Sequence, residues 1–331
     1  MTSAVVPEFT PRSSIGWIGL GYMGLAMATN LQKHLSRTGG PNLNFYNRTK
    51  SRGQPLKDLG GVYNSLDELA TNSDVIFMSL SDENAVKSVV DTLLETNGAA
   101  CDFNRKIIVD TSTIRPDSSA KMQLRLKETG AEYVTAPVIG TIPLATNGQL
   151  LWVLAGADAA IETINPYIVG VMGRGVIRLG TDVRLASILK AVANSLTIGM
   201  MEIVAEAHVF SEKAGLRTSD VEELIRQQIG PAGLMCSQRL TTGVYMPPRG
   251  EKPWTDINFA LAGGKQVLDT ATGFGVKLAI SSLVSRHLEE AKAYGDAQGR
   301  ELDVSAIYGA LRKDSGLSFE TEYVKRRDGL L

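Results

Sequence analysis

The stretch from Gly16 to Leu31, GWIGLGYMGLAMATNL, decides the fold. It begins as an apolar strand, turns through three glycines and continues directly as an apolar helix. The spacing G-x-G-x-x-G between strand and helix is typical of a dinucleotide-binding turn, because glycine permits the tight turn, the approach of a pyrophosphate and close packing of the helix. The unpaired N–H groups of the helix N-terminus favour an anion there. The predicted cofactor contacts in this stretch are Gly19, Leu20, Gly21, Tyr22, Met23 and Gly24.

The end of the next strand predicts which dinucleotide binds. An NAD-binding unit usually places Asp or Glu at this point, where the carboxylate accepts the ribose hydroxyls. This chain instead has Asn47-Arg48-Thr49 after the short strand predicted at residues 42–46. Asn47 and Thr49 can hydrogen-bond a 2′-phosphate, and the planar guanidinium of Arg48 suits phosphate oxygens. The turn therefore favours NADP as the cofactor.

Composition and charge exclude several classes of protein. The chain has 331 residues, enough for two domains, and its 34 Lys and Arg against 35 Asp and Glu leave no excess that would favour nucleic acid or an anionic membrane. Cys101 and Cys236 lie far apart in sequence and predict a reducing compartment rather than a disulfide framework. Residues 1–13 are polar and lack the apolar core of a secretory signal, so we expect a flexible tail and a cytoplasmic protein.

The pattern of apolar residues changes at residue 180 and predicts two domains. From 14 to 180, short apolar runs alternate with amphipathic stretches, which is typical of βαβ units around a parallel sheet. From 181 to 331 the sequence has no strand pattern and predicts helices. Capping-box spacing at Ser65 and at Ser219 predicts two of the helix starts. We expect an α/β Rossmann domain that binds NADP, then an all-α domain for substrate binding and oligomerisation, joined by a long interdomain helix.

The interdomain helix is predicted to run from about Asp182 to Lys213. At about 1.5 Å per residue it would span about 45 Å. Apolar residues surround much of its circumference, so we expect it to be buried on most sides. Polar residues interrupt it too often for a membrane-spanning helix. These residues are Lys190, Asn194, Glu202 and Glu206.

Three predicted loops are candidates for contact with the cofactor or the substrate. Ligands of parallel α/β sheets bind beyond the carboxyl ends of the strands. Leu80 and Ser81 follow one predicted strand, Ser112 and Thr113 follow the next, and residues 137–141 follow the one after that.

Lys190 and Asn194 are four residues apart and so lie on one face of the interdomain helix. One interpretation is a lysine whose stem packs on apolar surface while its charged group reaches solvent. The other is a proton donor, because a carbonyl that accepts a hydride needs a proton on its oxygen. Apolar neighbours would lower the pKa of such a lysine towards the range in which it gives and retakes that proton. Spacing alone leaves both interpretations open.

Four motifs in order along the chain resemble those of the β-hydroxyacid dehydrogenase family, also called 3-hydroxyisobutyrate dehydrogenase-related, within the 6-phosphogluconate dehydrogenase-like superfamily. Gly19–Gly24 resembles its G-L-G-x-M-G and Asp110–Thr113 its D-x-S-T. Lys190–Asn194 resembles its K-x-x-x-N, and Phe259–Lys265 its late segment with Phe and Lys. The resemblance covers nearly the whole chain beyond residue 13.

The resemblance implies an NADP(H)-dependent oxidoreductase that interconverts a semialdehyde or keto acid with a hydroxy compound. It implies that Lys190 is the general acid/base, that Asn194 contacts the substrate and the lysine, and that Ser112 borders the substrate. Thr113 would lie beside the nicotinamide and Lys265 would contact the cofactor. It further implies a small-molecule substrate bound in an interdomain cleft, and a homodimer or homotetramer.

One motif departs from the family pattern. The family's substrate loop begins D-A-P-V-S-G-G, whereas this chain has TAPVIGT over residues 135–141. Ile139 replaces the serine and Thr141 replaces a glycine, on either side of Gly140. In the family, the hydroxyl of that serine and the open backbone of that glycine normally help to hold a substrate carboxylate. We therefore expect a more apolar pocket and poor turnover of small 3-hydroxy acids.

Specific residues separate this function from three alternatives. A true 6-phosphogluconate dehydrogenase has K-x-x-H-N, but Ala193 occupies the histidine position here. An imine reductase shares the NADP fingerprint and usually lacks the lysine, and the altered substrate loop keeps this alternative open. A non-catalytic NADP-binding scaffold is expected to have lost Lys190, which this chain retains.

No histidine is predicted to take part in chemistry. His34, His208 and His287 all fall on predicted helices, where packing or surface roles are commoner. We also predict no metal site from the sequence.

Overall fold

A computed structural model describes residues 13–96 and 102–330. Cys101 and residues 1–12 of the predicted tail lie outside these ranges. Contacts divide the chain into two compact units, one ending at Lys190 and the other beginning at Ala191.

The first unit is built on a six-stranded parallel sheet. Its strands are β1 (Ile15–Ile18), β2 (Asn44–Tyr46), β3 (Val62–Tyr63), β4 (Val75–Met78), β5 (Ile107–Asp110) and β6 (Glu132–Thr135). They lie in the order β3-β2-β1-β4-β5-β6. The chain leaves β1 towards one edge and returns to β4 on the other side of it, which creates the crevice where ligands of such sheets bind. The predicted Rossmann domain is confirmed.

A second, three-stranded sheet completes the first unit. It contains β7 (Val138–Ile139), β8 (Leu150–Leu154) and β9 (Gly173–Arg178). β8 pairs antiparallel with β7 and parallel with β9. Aromatic side chains join the two sheets in one core: Trp17 stacks on Phe77 with ring centroids 5.4 Å apart, and Phe77 meets the edge of Trp152 at 6.3 Å.

Helices connect the strands of this unit. They are α1 (Tyr22–Thr38), α2 (Gln54–Asp58), α3 (Leu66–Thr71), α4 (Glu83–Thr96), α5 (Pro116–Lys127), α6 (Ile142–Thr146) and α7 (Asp158–Ile168). The capping box predicted at the start of α3 is confirmed, because Ser65 Oγ accepts from the Glu68 N–H while the Glu68 carboxylate accepts from the Ser65 N–H.

The described part of the chain after residue 180 forms helices and no strand. The helices are α8 (Arg184–Lys213), α9 (Thr218–Gln228), α10 (Pro231–Thr241), α11 (Ile257–Gly273), α12 (Ala279–Ala297), α13 (Ile307–Asp314) and α14 (Glu322–Arg327). The capping box predicted at Ser219 is wrong. The N-cap residue of α9 is Arg217, two residues before Ser219, and its guanidinium pairs with Asp220 at 2.7 Å.

A buried ion pair organises the second unit. Both Asp303 carboxylate oxygens accept from the Arg239 guanidinium, at 2.7 and 2.8 Å. The same carboxylate accepts from the backbone N–H groups of Thr255 and Ser305, at 2.8 and 3.0 Å. This full set of hydrogen bonds compensates the cost of placing a charge in the interior.

The predicted burial of α8 on most sides is wrong. Leu196, Ile203 and Phe210 are 69%, 54% and 74% exposed in the single chain. By length and composition α8 could cross a membrane, although core helices of soluble proteins meet the same criterion. Helical periodicity identified the apolar residues, but it does not say what covers them.

Two glycine substitutions test why α1 packs so closely on β1. A Cβ at Gly24 would lie 2.3 Å from the Gly19 carbonyl oxygen, whereas a Cβ at Gly21 would meet no atom within 4 Å. We expect Gly24→Ala to lower the free energy of unfolding by about 1–3 kcal/mol through overpacking. Gly21→Ala should cost only about 0.5–1 kcal/mol, because it meets no clash and loses only the better N-cap propensity of glycine. Urea denaturation measures both, and equal stabilities of the two variants would contradict the packing argument.

Candidate active site

The glycine turn leaves a space at the N-terminus of α1. Gly19 has a φ of +95°, which favours glycine, and its backbone approaches the Ser79 carbonyl. Gly21 precedes α1, and the space in front of its missing side chain is open. The first turn of α1 carries no acidic residue and no capping side chain. These residues fit a dinucleotide pyrophosphate, because the helix N–H groups face an unobstructed cradle.

Asn47 shapes the adjoining turn. Its Oδ1 accepts from the Leu20 N–H at 2.8 Å, and its Nδ2 donates to the Thr49 carbonyl at 2.8 Å. Asn47 thereby ties the end of β2 to the glycine turn. The side chain that we expected to bind a 2′-phosphate is therefore engaged in holding the loop, and the exposed Arg48 and Thr49 are left for that contact.

Arg48 lies near the start of α4. A hydrogen bond from the Ser81 hydroxyl, then one from the Ala85 N–H, lower the pKa of Asp82, and the charge of Arg48 adds a smaller effect. The predicted cofactor residues Arg48 and Ser81 therefore belong to one neighbourhood at the edge of the sheet. A carboxylate in that neighbourhood partly offsets the positive charge available to a phosphate.

Buried hydrogen bonds join the loops that follow β4 and β5. Ser112 Oγ accepts from the Leu80 N–H at 2.9 Å, and the Ser112 N–H donates to Asp110 Oδ1 at 2.9 Å. Ser112 is buried, so its hydroxyl holds the neighbouring loop instead of lining open space. Thr113, the next residue, is only partly buried.

The same network continues to the start of α8. Tyr133 Oη donates to Asp110 Oδ2 at 2.9 Å, and the Tyr133 hydroxyl lies close to Ser119. Ser119 Oγ and Ser187 Oγ are 2.8 Å apart. Ser187 lies one turn before Lys190 on α8. Burial raises the pKa of Asp110, and burial followed by the charge of Asp110 raises the pKa of Tyr133.

Lys190 points at the substrate loop. Its Nζ donates to the Val138 carbonyl oxygen at 2.7 Å. Ala186, one turn before Lys190, and Ile139, next to Val138, belong to one apolar cluster with Val153. Burial lowers the pKa of Lys190 to about 8. The lysine is therefore partly buried and held by a neutral acceptor, not extended into solvent.

The substrate loop requires a glycine at position 140. Gly140 has a φ of +147°, and a Cβ there would lie 2.6 Å from a Leu150 methyl group. Thr141 is the N-cap residue of α6, and its hydroxyl makes no capping hydrogen bond. The departure from the family pattern at Ile139 thus places an apolar side chain beside the acceptor of the Lys190 ammonium.

The remaining predicted residues lie in the second unit. Asn194 is partly buried, one turn after Lys190 on α8. Lys265 lies on α11, is exposed, and pairs with Asp269 at 2.7 Å. Sequence reasoning missed Tyr133 and Ser187 as supports of the site. Their chemistry gives no signal on its own, since a tyrosine in a strand and a serine in a helix are ordinary.

The turn, the cradle and the sheet order define an NAD(P)-binding domain. Residues 14–180 match the family model described as the NAD binding domain of 6-phosphogluconate dehydrogenase. The chain is 32% identical to the NADH-dependent oxidoreductase ucdB of Aspergillus ustus, over 90% of this chain and 99% of that protein. It is 35% identical to glyoxylate/succinic semialdehyde reductase 2 of Arabidopsis thaliana, over 65% of this chain and 58% of that one.

Solved structures show the same fold. The 3-hydroxyisobutyrate dehydrogenase of Mycobacterium tuberculosis superposes with a TM-score of 0.74 at 19% identity, covering 91% of this chain and 99% of the other. An imine reductase of Streptomyces aurantiacus superposes with a TM-score of 0.58 at 19% identity, covering 91% and 98%. This chain belongs to the β-hydroxyacid dehydrogenase family of 6-phosphogluconate dehydrogenase-like oxidoreductases.

Proposed function

We propose that this protein is an NADPH-dependent reductase of semialdehydes or keto acids, with Lys190 as the general acid. The observation that carries the proposal is the hydrogen bond of Lys190 Nζ to the Val138 carbonyl, beside the substrate loop. The names of the similar oxidoreductases, one of them a semialdehyde reductase, support the reaction class.

When bound, the nicotinamide supplies the hydride that reduces the carbonyl carbon. Negative charge then develops on the substrate oxygen, and the Lys190 ammonium stabilises it and delivers a proton from Nζ. An ammonium has three N–H donors, and the Val138 carbonyl takes one of them. That bond fixes Nζ and leaves two donors for the substrate. In the reverse reaction the neutral amine accepts the hydroxyl proton.

Ile139 sets the expected substrate class. An apolar side chain beside the lysine cannot hydrogen-bond a carboxylate, so larger and less anionic carbonyl compounds should be preferred over small hydroxy acids. The same substitution, together with the fold shared with imine reductases, supports reduction of a cyclic imine as a second candidate. A panel of semialdehydes, keto acids and cyclic imines, scored by NADPH absorbance, distinguishes the two.

The preference for NADPH is proposed from Arg48 and Thr49. Neither carries the carboxylate that accepts the ribose hydroxyls in NAD-binding units. The name of the Aspergillus relative states dependence on NADH, so similarity does not decide the cofactor. The direct test is a comparison of the two dinucleotides on one protein.

Arg48→Ala should weaken NADPH binding about 10- to 100-fold, the effect of losing a charged hydrogen bond of about 1.5–3 kcal/mol. NADH binding should change less than about 2-fold, because NADH has no 2′-phosphate for this contact to lose. Arg174→Ala, which removes an exposed arginine of β9 outside this turn, is the matched control and should leave both affinities unchanged. Titration calorimetry measures all the dissociation constants. Equal affinities of the unaltered protein for NADPH and NADH would reject the preference.

Lys190→Met should lower kcat for carbonyl reduction roughly 10²- to 10⁴-fold, the usual contribution of a general acid. NADPH affinity should change little, since the phosphates are held by the glycine turn. Lys213→Met, an exposed lysine on the same helix, should leave kcat unchanged. Steady-state kinetics and NADPH fluorescence titration give these values, and near-normal kcat in Lys190→Met would return the lysine to a packing role.

The pH dependence follows from the pKa of Lys190, about 8. Reduction requires the protonated amine, so its kcat/KM should fall as pH rises through that value. Oxidation of the alcohol requires the neutral amine, so its kcat/KM should rise over the same range. Both inflections should be absent from the residual activity of Lys190→Met.

The oligomeric state is proposed from the exposed face of α8. Leu196, Ile203 and Phe210 are spaced by seven residues, so they form one apolar stripe of the kind that pairs helices in a coiled coil. We propose that a second copy of the chain covers this stripe and forms a homodimer.

Leu196→Lys combined with Ile203→Lys should halve the mass measured by light scattering at micromolar concentration, because each copy would bury two charges in the interface. Leu124→Lys is the matched control, since Leu124 is also exposed, at 64%, but lies on α5 of the first unit. A dimer that survives the double substitution would place the interface elsewhere.

A further inference from the structure

A cluster of metal-ligating side chains lies in the second unit, outside the proposed reaction. His287 and Glu290 are three residues apart on α12, and Asp314 is the last residue of α13. One ligand atom of each lies within 4.8 Å of the other two. We propose that these three side chains bind a divalent transition-metal ion of the zinc type and join α12 to α13.

The histidine is held as metal-bound histidines usually are. His287 is 2% exposed, and its Nδ1 lies 2.6 Å from Oε1 of the equally buried Glu202 on α8. With Nδ1–H donating to this carboxylate, Nε2 keeps its lone pair for a ligand.

The positive charge of Arg286 lies beside two of the proposed ligands. The Arg286 guanidinium lies 3.4 Å from His287 Nε2 and 3.7 Å from a Glu290 oxygen. The Arg286 side chain is 61% exposed, so it can turn into solvent without uncovering the core. Arg286 therefore acts as an internal competitor for the ion.

Asp314 stands where the helix itself disfavours an acid. The C-terminus of a helix carries partial negative charge, which repels a carboxylate. The two basic residues before it are directed elsewhere: Arg312 pairs with Glu212, and Lys313 lies 5.5 Å from the Tyr294 ring centre. A cation between α12 and α13 would relieve this repulsion.

The ligand set favours zinc over magnesium. One imidazole and two carboxylates suit Zn²⁺, whereas Mg²⁺ prefers oxygen ligands and retains its water. Tetrahedral ligands at about 2.0–2.2 Å from Zn²⁺ lie about 3.4 Å apart. Glu290 and Asp314 are exposed and need to close by at most about 1.4 Å, with a water as the fourth ligand.

Calorimetry and thermal denaturation of the full chain with Zn²⁺ test the site, with EDTA-treated protein as the reference. We expect one tight site per chain and a rise in melting temperature that Mg²⁺ does not reproduce. Glu290→Gln and Asp314→Asn should each weaken Zn²⁺ binding at least about 10-fold through loss of a ligand. Glu289→Gln, which removes an exposed neighbouring carboxylate, should not.

Arg286→Gln should have the opposite effect on Zn²⁺ affinity, because it removes the competing positive charge and should tighten binding. His287→Gln should abolish the site, and the exposed carboxylate variants keep the test valid if that buried change prevents folding. The proposal is overturned if Zn²⁺ fails to bind stoichiometrically, if Glu290→Gln and Asp314→Asn bind as the unaltered chain does, or if Arg286→Gln weakens binding.

Discussion

The first unit depends on a contact between backbone atoms at the end of β1. α1 approaches so closely that a side chain at Gly24 would collide with the Gly19 carbonyl, and one at Gly19 would collide with the Ser79 carbonyl after β4. This packing fixes β1, β4 and α1 at the point where the strand order reverses. The N-terminus of α1 consequently faces the crevice, so the phosphate cradle follows from the packing itself.

The proposed proton donor is positioned by the same framework. From the loop after β4, hydrogen bonds run through Ser112 and Asp110 to Tyr133, and a separate hydrogen bond joins Ser119 to Ser187 on α8. The loops that carry Leu80 and Thr113 are therefore tied to the buried polar groups that lie near the start of α8. Buried networks of this kind are costly to leave half-satisfied, so they favour one arrangement.

The sequence predicted the features that depend on local chemistry. The glycine turn and the Ser65 capping box lie where their patterns placed them, and the strand predicted at residues 42–46 is present as Asn44–Tyr46. The two-residue strands β3 and β7 were missed, because two residues cannot show alternation. The role of Ser112 was equally hidden, since its partner is a backbone N–H that lies 32 residues away in sequence. The strands β3 and β7 and the role of Ser112 all depend on tertiary contacts, which local sequence patterns do not reveal.

The long helix α8 links the proposed chemistry to the proposed assembly. Its first turns are held by Ser187 and carry Lys190, while the apolar stripe begins at Leu196, six residues further on. The proposed proton donor and the stripe proposed as the dimer interface therefore share one continuous, hydrogen-bonded helix.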